Sequence, residues 1–223
     1  MATLPLETAH FRISTRVIQD LRARLQKHLP AGARLSSNDV ICAMMWSATT
    51  HAMTNLESAR SLGDGTDCWF TSPDGDKATV SMGLSVDMRR RLDPQIPKSF
   101  IGNALAMAWP TVSRSSLLDA ANASPCATSS SPLASLSEVA SCVRKSQESL
   151  EGKHFRKLVA YLGAHGNMAT RLQWGPGPNS TNMVAATWRG LSVVDSLYWG
   201  GDVGECDAVR TVLPTYNAES EKL

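Results

Sequence analysis

Apolar residues recur at the three- and four-residue spacing of amphipathic helices in three parts of the chain. The first part follows Ser14 and Thr15, either of which can cap a helix N-terminus. The other two follow each other in the second half of the sequence. The positions that define the three helices are Val17, Ile18, Leu21 and Leu25, then Leu136, Val139, Ala140, Val143 and Leu150, then Phe155, Leu158, Val159 and Leu162.

A fourth predicted helix differs, because it is apolar on nearly every side. The sequence "VICAMMWSATTHAM" follows four capping residues, Ser36 to Asp39. A helix without a polar face is expected to be buried. Its N-terminus, with free N–H groups and the positive end of the helix dipole, is therefore expected to open toward an interior or a cleft.

Alternation of apolar and polar residues predicts the strands. Val80, Met82, Leu84 and Val86 share one face of a half-buried strand, and "NALAMAWPTV" predicts a second strand that Pro110 ends. Shorter strands are predicted at His10 to Ser14 and at Met183 to Trp188.

Polar and small residues predict the connections. Residues 58–77 indicate a loop, residues 113–131 a flexible Ser/Ala-rich connection, and residues 214–223 a polar tail. Strands and helices are mixed along residues 1–223, which predicts a single α/β domain with a mixed β-sheet flanked by helices.

Composition narrows the class of protein. With 223 residues and a formal net charge of +2, the chain allows one sizeable core and lacks the basic field of a nucleic-acid-binding protein. The five cysteines show no CxxC spacing, which disfavours a disulfide framework and suits a reducing compartment. No secretory signal or membrane-spanning run is present in the sequence. We therefore expect a cytoplasmic protein that binds neither nucleic acid nor membranes.

Motifs that carry chemistry by themselves are absent from the sequence. None of the five histidines is paired at the i, i+4 spacing of a metal site, and neither a phosphate-binding loop nor a nucleophile elbow occurs. His165 precedes a glycine, which indicates a helix end rather than a general base. We expect no metal site and no catalytic residue that acts alone.

Three stretches nevertheless resemble, in the same order, the second half of BAHD-type acyltransferases. They are most similar in kind to fungal members such as the trichothecene acetyltransferase-like enzymes. "SSNDVICAMMWSATTHA" (Ser36 to Ala52) is similar to the family's S-x-x-D-V helix. "VDMRRRLDPQIPKSFIGNAL" (Val86 to Leu105) is similar to its V-D-x-R-x-R-x-x-P-x-x-P-x-x-[YF]-x-G-N stretch. "TWRGLSVVDSLYWGGDVGECDAVR" (Thr187 to Arg210) is similar to its S-W-x-G strand, D-F-G motif and G-[KR]-P-[DE]-x-V-R. The likeness extends from about His10 to Arg210.

The resemblance implies a chloramphenicol-acetyltransferase-like fold and site residues to match. The implied cofactor-binding residues, near the phosphates and the acyl tunnel of coenzyme A, are Ser36, Ser37, Asn38, Thr187 and Trp188, and the implied substrate-pocket residues are Gly102 and Asn103. Each assignment has a plainer alternative. In that alternative, Ser36, Ser37 and Asn38 only cap a buried helix. Trp188 is then an ordinary core residue, and Gly102 and Asn103 form a simple turn into a strand.

The resemblance also implies a structural ion pair. In the family, the Asp of D-F-G pairs with an arginine of the second stretch, and the register that includes Gly200 places Tyr198 where that Asp belongs. Arg89 or Arg91 would then lack its carboxylate, unless Asp195 substitutes after a local shift or the arginines reach solvent. Removal of one partner from a buried pair costs about 3–5 kcal/mol.

One departure concerns the family's catalytic motif. Four residues after the histidines come Ser14, Gly32, Asn55, Leu158 and Ala169, so no H-x-x-x-D occurs in this sequence. The likeness is to a C-terminal domain trimmed at both ends, and a separate chain carrying the H-x-x-x-D domain is an implied partner.

The expected function is acyl transfer from acyl-coenzyme A, as co-substrate and not as a permanently bound cofactor, to a hydroxyl of a small molecule in fungal specialised metabolism. This chain alone is expected to be weak or inactive. The alternative is a non-catalytic remnant or pseudoenzyme that binds coenzyme A or a partner chain. A third candidate, an unrelated interaction domain, would be favoured if no strand at 183–188 lay beside the strand at 80–86.

Overall fold

Helices and strands alternate along the part of the chain that the computed structural model describes, residues 11–61, 78–97, 99–123, 130–166 and 183–186. All of these residues lie in the unit Met1–Ala186. The helices of this part are α1 (Thr15–Gln26), α2 (Ser37–Ser61), α3 (Arg114–Ala121), α4 (Ser130–Glu148) and α5 (Gly152–His165), and its strands are β1 (Thr79–Asp87), β2 (Leu105–Ala108), β3 (Thr111–Ser113) and β4 (Met183–Ala185).

Strand β1 is the centre of the sheet, because each of the other described strands pairs with it. β2 is antiparallel to β1, with Ala108 opposite Leu84, and β4 is parallel to β1, with Ala185 opposite the same Leu84. β2 and β4 therefore lie on opposite sides of β1. The strand predicted to begin at Met183 is present beside β1. The absence of this strand would have favoured an unrelated interaction domain, so that third candidate is not supported.

β2 and β3 continue a single antiparallel alignment with β1. Thr111 lies opposite Ser81, in the same register that places Ala108 opposite Leu84. Between them Pro110 has no N–H to donate, yet its carbonyl accepts a hydrogen bond from the Met82 N–H at 3.2 Å. β2 therefore ends before Pro110, as predicted, and the antiparallel alignment resumes in the separate strand β3, because the proline removes only one donor.

The core lies between one face of the sheet and helices α1 to α4. The alternating residues of β1 that were predicted to share a face are buried, with Met82 fully so. Trp46 of α2 is also fully buried in this core. Each large side chain removed from water contributes about 1.5–3 kcal/mol, so this face is the main source of stability.

Helix α1 forms as its sequence predicts. The Ser14 hydroxyl accepts a hydrogen bond from the Val17 N–H at 3.3 Å and caps the helix. Ile18, Leu21 and Leu25 are buried on one face. Residues 11–14 are not in a strand, so the predicted strand at 10–14 is wrong there, and residue 10 lies outside the described part. Phe11 is 85% exposed, and a short alternating segment without a neighbouring strand has nothing to pair with.

Helix α2 differs from its prediction in burial and in length. Val40, Ala43 and Trp46 are fully buried, but Met45 is 49% exposed, so the helix has a solvent side and is not buried all round. The helix extends to Ser61, which overturns the predicted loop at residues 58–61, and residues 62–77 lie outside the described part.

The predicted flexible connection at 113–131 contains helix instead. Ser113 caps α3 by accepting a hydrogen bond from the Ser116 N–H at 3.1 Å, and α3 buries Leu117 and Ala120. α4 already begins at Ser130. Residues 124–129 lie outside the described part. Serine and alanine indicate flexibility by composition, but serine also caps helices and alanine has the highest helix propensity.

The last two helices confirm their predicted positions. α4 buries Leu136, Val139, Ala140 and Val143, which are four of the residues predicted to share its apolar face. α5 ends at His165, and Gly166 follows with a φ of 48°. That left-handed conformation favours glycine, so the prediction that His165 marks a helix end is confirmed.

Burial of Cys42 on α2 leads to a prediction about alkaline stability. Desolvation, assisted by the nearby Asp39 carboxylate, raises the pKa of the Cys42 thiol from 9.0 to about 11. Between these values the unfolded chain releases the thiol proton and the folded chain retains it, so the free energy of unfolding falls as pH rises. We expect a loss of about 2–3 kcal/mol over this range, measured by urea denaturation from pH 8 to pH 11. Cys42→Ala should show a shallower decline, and an identical decline in both proteins would contradict the assignment.

Candidate functional site

The turn between β1 and β2 carries the three adjacent arginines and is held together by the first of them. Arg89 Nη1 donates to Asp87 Oδ1 at 3.1 Å, and Nη2 donates to the Gly102 carbonyl at 2.6 Å. The Arg89 N–H also donates to Asp87 Oδ1, at 3.0 Å. Since Asp87 ends β1 and Gly102 precedes β2, Arg89 ties the two ends of the turn together. Asp87, which belongs to the same sequence stretch, is therefore the carboxylate partner of Arg89.

The third arginine connects this turn to the end of helix α4. Arg91 Nη1 donates to the carbonyls of Gln147 and Leu150, the latter at 3.1 Å. The last carbonyls of a helix have no partner within the helix and carry partial negative charge, so they favour a cation. Arg90 is exposed. The positive charge of the turn is therefore balanced by one carboxylate, by helix-end carbonyls and by solvent.

The main chain of the same turn contacts the start of helix α5. A Cβ atom built on Gly152 would collide with the carbonyl oxygen of Arg91. Gly152 is the buried residue of α5, and a glycine there allows the two backbones to approach closely. Arg91 thus holds the end of α4 with its side chain and supports the start of α5 with its carbonyl.

The predicted substrate-pocket pair lies at the entrance to β2. The Gly102 carbonyl is the acceptor of Arg89, and Asn103 Oδ1 accepts a hydrogen bond from the Leu105 N–H at 3.0 Å. Both residues are exposed. These contacts suit a turn into a strand, and a role of Gly102 and Asn103 in substrate binding stays a prediction.

The predicted phosphate-binding residues lie at the N-terminus of α2, beside a buried carboxylate. Asp39 Oδ2 accepts hydrogen bonds from the Ser36 N–H at 2.7 Å and from the Ser36 hydroxyl at 2.8 Å. The Ser36 hydroxyl in turn accepts from the Asp39 N–H at 3.2 Å. This reciprocal cap supplies the helix end with its own anion. Ser37 and Asn38 are half-buried beside it.

Helix α4 supplies the partners of that buried carboxylate. Gln147 Nε2 donates to Asp39 Oδ1 at 3.3 Å, and Arg144 Nη1 lies 3.8 Å from Asp39 Oδ2. Arg144 also donates to Glu148 Oε1 at 2.7 Å. The end of α4 therefore contacts both the start of α2 and the arginine turn, and it joins two of the three sequence stretches.

The remaining predicted site residues, Thr187, Trp188, Tyr198 and Gly200, lie outside the described residues, as does Asp195. The expected loss of a carboxylate partner for Arg89 or Arg91 at the position of Tyr198 stays a prediction. Within the described ranges no group of three or more His, Cys, Asp or Glu side chains has the arrangement of a metal site. No helix among the same residues has the length and apolar character needed to cross a membrane.

Two cavities are each lined by Trp109, which sequence reasoning left as a packing or surface residue. An open cavity of ≈ 780 Å³ is lined by Trp109 together with His28, Cys142 and Lys145. A smaller cavity of ≈ 210 Å³ lies between β2 and α5 and is lined by Trp109, Leu105, Met107 and Leu158. The sequence feature that could have pointed to the contact of Trp109 with the sheet is Gly83, a glycine within an alternating strand. In the structure, a Cβ atom at Gly83 would lie 2.9 Å from the indole ring of Trp109.

The larger cavity contains a thiol of low reactivity. Cys142 Sγ donates to the Thr111 carbonyl at 3.5 Å. Burial raises the pKa of the Cys142 thiol, and this outweighs the lowering effects of Thr111 and Lys145. A thiol with a raised pKa is a weak nucleophile at neutral pH, so the cavity is better suited to binding than to thiolate chemistry.

The other histidines of the described part do not form a base with an orienting carboxylate. His165 Nδ1 lies 2.8 Å from the Tyr161 carbonyl, and its ring stacks on Tyr161 with centroids 4.2 Å apart. His154 Nδ1 accepts from the Glu151 N–H at 3.4 Å. Both histidines are exposed on α5.

Replacing Asp39 tests the contact between α2 and α4. Asp39→Ala removes the cap and leaves polar groups of Ser36 and Gln147 without their acceptor, so we expect a loss of about 2–4 kcal/mol in the free energy of unfolding. The control is Asp20→Ala, since Asp20 is 72% exposed and 4.0 Å from Arg16. An exposed pair of this kind contributes about 0–1 kcal/mol. Equal losses in urea denaturation would contradict the role of Asp39.

Replacing Arg91 tests the contact between the turn and the two last helices. Arg91→Lys retains the charge but shortens the side chain and removes the guanidinium nitrogen, Nη1, that donates to both carbonyls, so we expect a loss of about 1 kcal/mol and faster amide exchange in α5. Arg90→Lys, at the exposed neighbour, should change neither quantity. Hydrogen exchange measured by mass spectrometry compares them, and unchanged exchange of residues 152–165 in Arg91→Lys would refute the contact.

Comparison with known proteins places this chain in a family. The model of the Transferase family matches residues 4–156. The acyltransferase BOA11 of Botryotinia fuckeliana is 24% identical over 210 residues, which is 94% of this chain and 37% of that protein. The O-acetyltransferase anaAT of Neosartorya fischeri is 37% identical over 75 residues, 34% of this chain and 14% of that protein. The chain thus spans less than two fifths of the length of the curated relatives it matches.

A solved structure supports the fold. TRI101 of F. sporotrichioides, determined in complex with coenzyme A and T-2, superposes with a TM-score of 0.59 at 17% identity, covering 87% of this chain and 38% of that one. The described unit has the same mixed α/β architecture, chloramphenicol-acetyltransferase-like in kind. From the family match and this fold together, the chain belongs to the Transferase family of BAHD-type acyltransferases.

Proposed function

We propose that this protein takes part in acyl transfer from an acyl-coenzyme A to a hydroxyl of a small-molecule acceptor in fungal specialised metabolism. The observation that carries the proposal is the family match to residues 4–156, which include α1, α2, the strands β1 to β3, α3 and α4. Two relatives are named as an acyltransferase and an O-acetyltransferase. The superposed TRI101 structure contains coenzyme A and T-2, which supports acyl-coenzyme A as a co-substrate here.

The described residues supply structure and binding surface for this reaction. The arginine turn fixes the entrance to β2, and the cavities beside Trp109 offer room for a ligand. A coenzyme A phosphate at Ser36, Ser37 and Asn38 would meet a helix end already capped by Asp39, so neutral hydrogen bonding from Ser37 and Asn38 is the contribution we expect there. A role of Thr187 and Trp188 in coenzyme A binding is proposed from the resemblance alone, since both lie outside the described residues.

The chain alone is proposed to have little or no activity. Deprotonation of an acceptor hydroxyl requires a positioned base near neutral pH, and the sequence contains no H-x-x-x-D. His154 and His165 do not replace it, because each is hydrogen-bonded to a backbone group of its own helix or helix cap. Loss of a general base typically costs about 10²–10⁴-fold in rate.

The same observation favours a second candidate, a non-catalytic member that binds coenzyme A or a separate chain carrying the H-x-x-x-D domain. A cytoplasmic location is proposed for either candidate. It is supported by free Cys42 and Cys142 in the described part of the chain, since free thiols suit a reducing compartment. Membrane or nucleic-acid binding is not part of the proposal.

A transfer assay separates the two candidates. The purified full chain is incubated with acetyl-coenzyme A and a generic primary alcohol, and the ester product is measured by mass spectrometry because the protein's own thiols interfere with thiol reagents. We expect coenzyme A binding by calorimetry and product formation within tenfold of buffer. Turnover far above buffer would contradict the non-catalytic candidate. Absence of any coenzyme A binding would contradict acyl transfer and leave a non-catalytic member that binds a separate chain.

A further inference from the structure

The cavity between β2 and α5 is largely apolar and has the size of a small organic group. Its volume is ≈ 210 Å³. Leu105 and Met107 line it from the sheet, and Phe155 and Leu158 line it from α5. Protein interiors rarely retain voids larger than a water molecule. An apolar cavity of about 150 Å³ accommodates a benzene ring, so this one has room for one ring or a chain of about six carbons.

Helix α5 covers the cavity but is held mainly at its first turn. Gly152 is the buried residue of the helix, and Val159 and Tyr161 are 52% and 43% exposed. The attachment is at the helix start, where Gly152 lies on the Arg91 carbonyl and Arg91 binds the Leu150 carbonyl. Leu105, on the opposite wall, remains 48% exposed. The apolar side chains of β2 and those of α5 therefore face each other across the cavity but do not fill it.

A single ionisable side chain lines this cavity, His154. Its Nδ1 accepts the Glu151 N–H at 3.4 Å. The neutral ring therefore carries its proton on Nε2, which is a hydrogen-bond donor. A donor beside an apolar wall recognises a ligand that has an apolar tail and one oxygen acceptor.

We propose that this cavity binds the apolar part of an acyl group or small carboxylic acid, of one aromatic ring or about six carbons, with its carbonyl oxygen at His154. The proposal rests on the proposed acyl-transfer function for the identity of the ligand, and on the cavity for its size. In this proposal, the cavity determines which acyl group the chain selects. His154 is here a binding residue and takes no proton in the reaction.

The test measures binding of hexanoate and benzoate to the full chain by calorimetry and ligand-observed NMR, with hexylammonium as the probe that has the same tail and no acceptor. Leu158→Trp fills the cavity from the helix, and Leu105→Trp fills it from the sheet. Ala160→Trp is the matched control, because Ala160 is exposed on the same helix. Circular dichroism and thermal unfolding confirm that each variant folds.

The expected result is one-to-one binding of both carboxylates, at least tenfold tighter than hexylammonium. Binding should weaken at least tenfold in Leu158→Trp or in Leu105→Trp and remain unchanged in Ala160→Trp. His154→Phe should weaken binding of hexanoate about threefold to tenfold and leave binding of hexylammonium unchanged, whereas His154→Gln, which keeps a donor, should restore part of the loss. Absence of binding by the unmodified chain, or equal binding by the filled variants, overturns the proposal.

Coenzyme A binding by the same samples separates this inference from the proposed function. If coenzyme A binds and neither carboxylate does, the cavity assignment fails and acyl transfer stands. If the carboxylates bind in the cavity and coenzyme A does not, the cavity assignment holds and the acyl-transfer proposal fails.

Discussion

The carbonyls of Gln147 and Leu150, at and just beyond the end of α4, are the constraint around which this part of the molecule is arranged. The last carbonyls of a helix lack their regular partners within the helix. Here the Leu150 N–H donates to the Gln147 carbonyl at 3.4 Å, and Arg91 donates to the carbonyls of both Gln147 and Leu150. The same arginine offers its own carbonyl as the surface on which Gly152 lies. The end of β1, the end of α4 and the start of α5 therefore meet at one residue, and the position of α5 over its cavity follows from that meeting.

The charges of the arginine turn are resolved locally. Arg89 uses Asp87, two residues away, and the Gly102 carbonyl. Asp39, the buried acid of α2, is likewise satisfied by neighbours on its own helix cap and on α4. Short-range pairing of this kind keeps each buried or half-buried charge next to a hydrogen-bond partner, which is the condition under which charge is tolerated inside a protein.

Periodicity predicted the elements that pack strongly. The buried face of β1, the cap and buried face of α1, and the buried face of α4 follow from spacing, because burial of one face requires it. The position of α5 also follows from its spacing, although Val159, which was predicted on its apolar face, is 52% exposed. Prediction failed where composition was used in place of periodicity, as in α3. Helix α2 was predicted to be buried all round, yet Met45 is 49% exposed, because an apolar residue on a helix surface is compatible with solvent.

The sequence by itself determined the family and the order of its motifs, because motif residues and their spacing are properties of the chain alone. It also determined that an arginine-rich turn joins two strands. Only the tertiary structure decided which acceptors those arginines use, and that Trp109 lines two cavities. The reason is physical: a hydrogen-bond partner 56 or 59 residues away and an empty volume between two elements depend on how surfaces meet, and no local pattern encodes them.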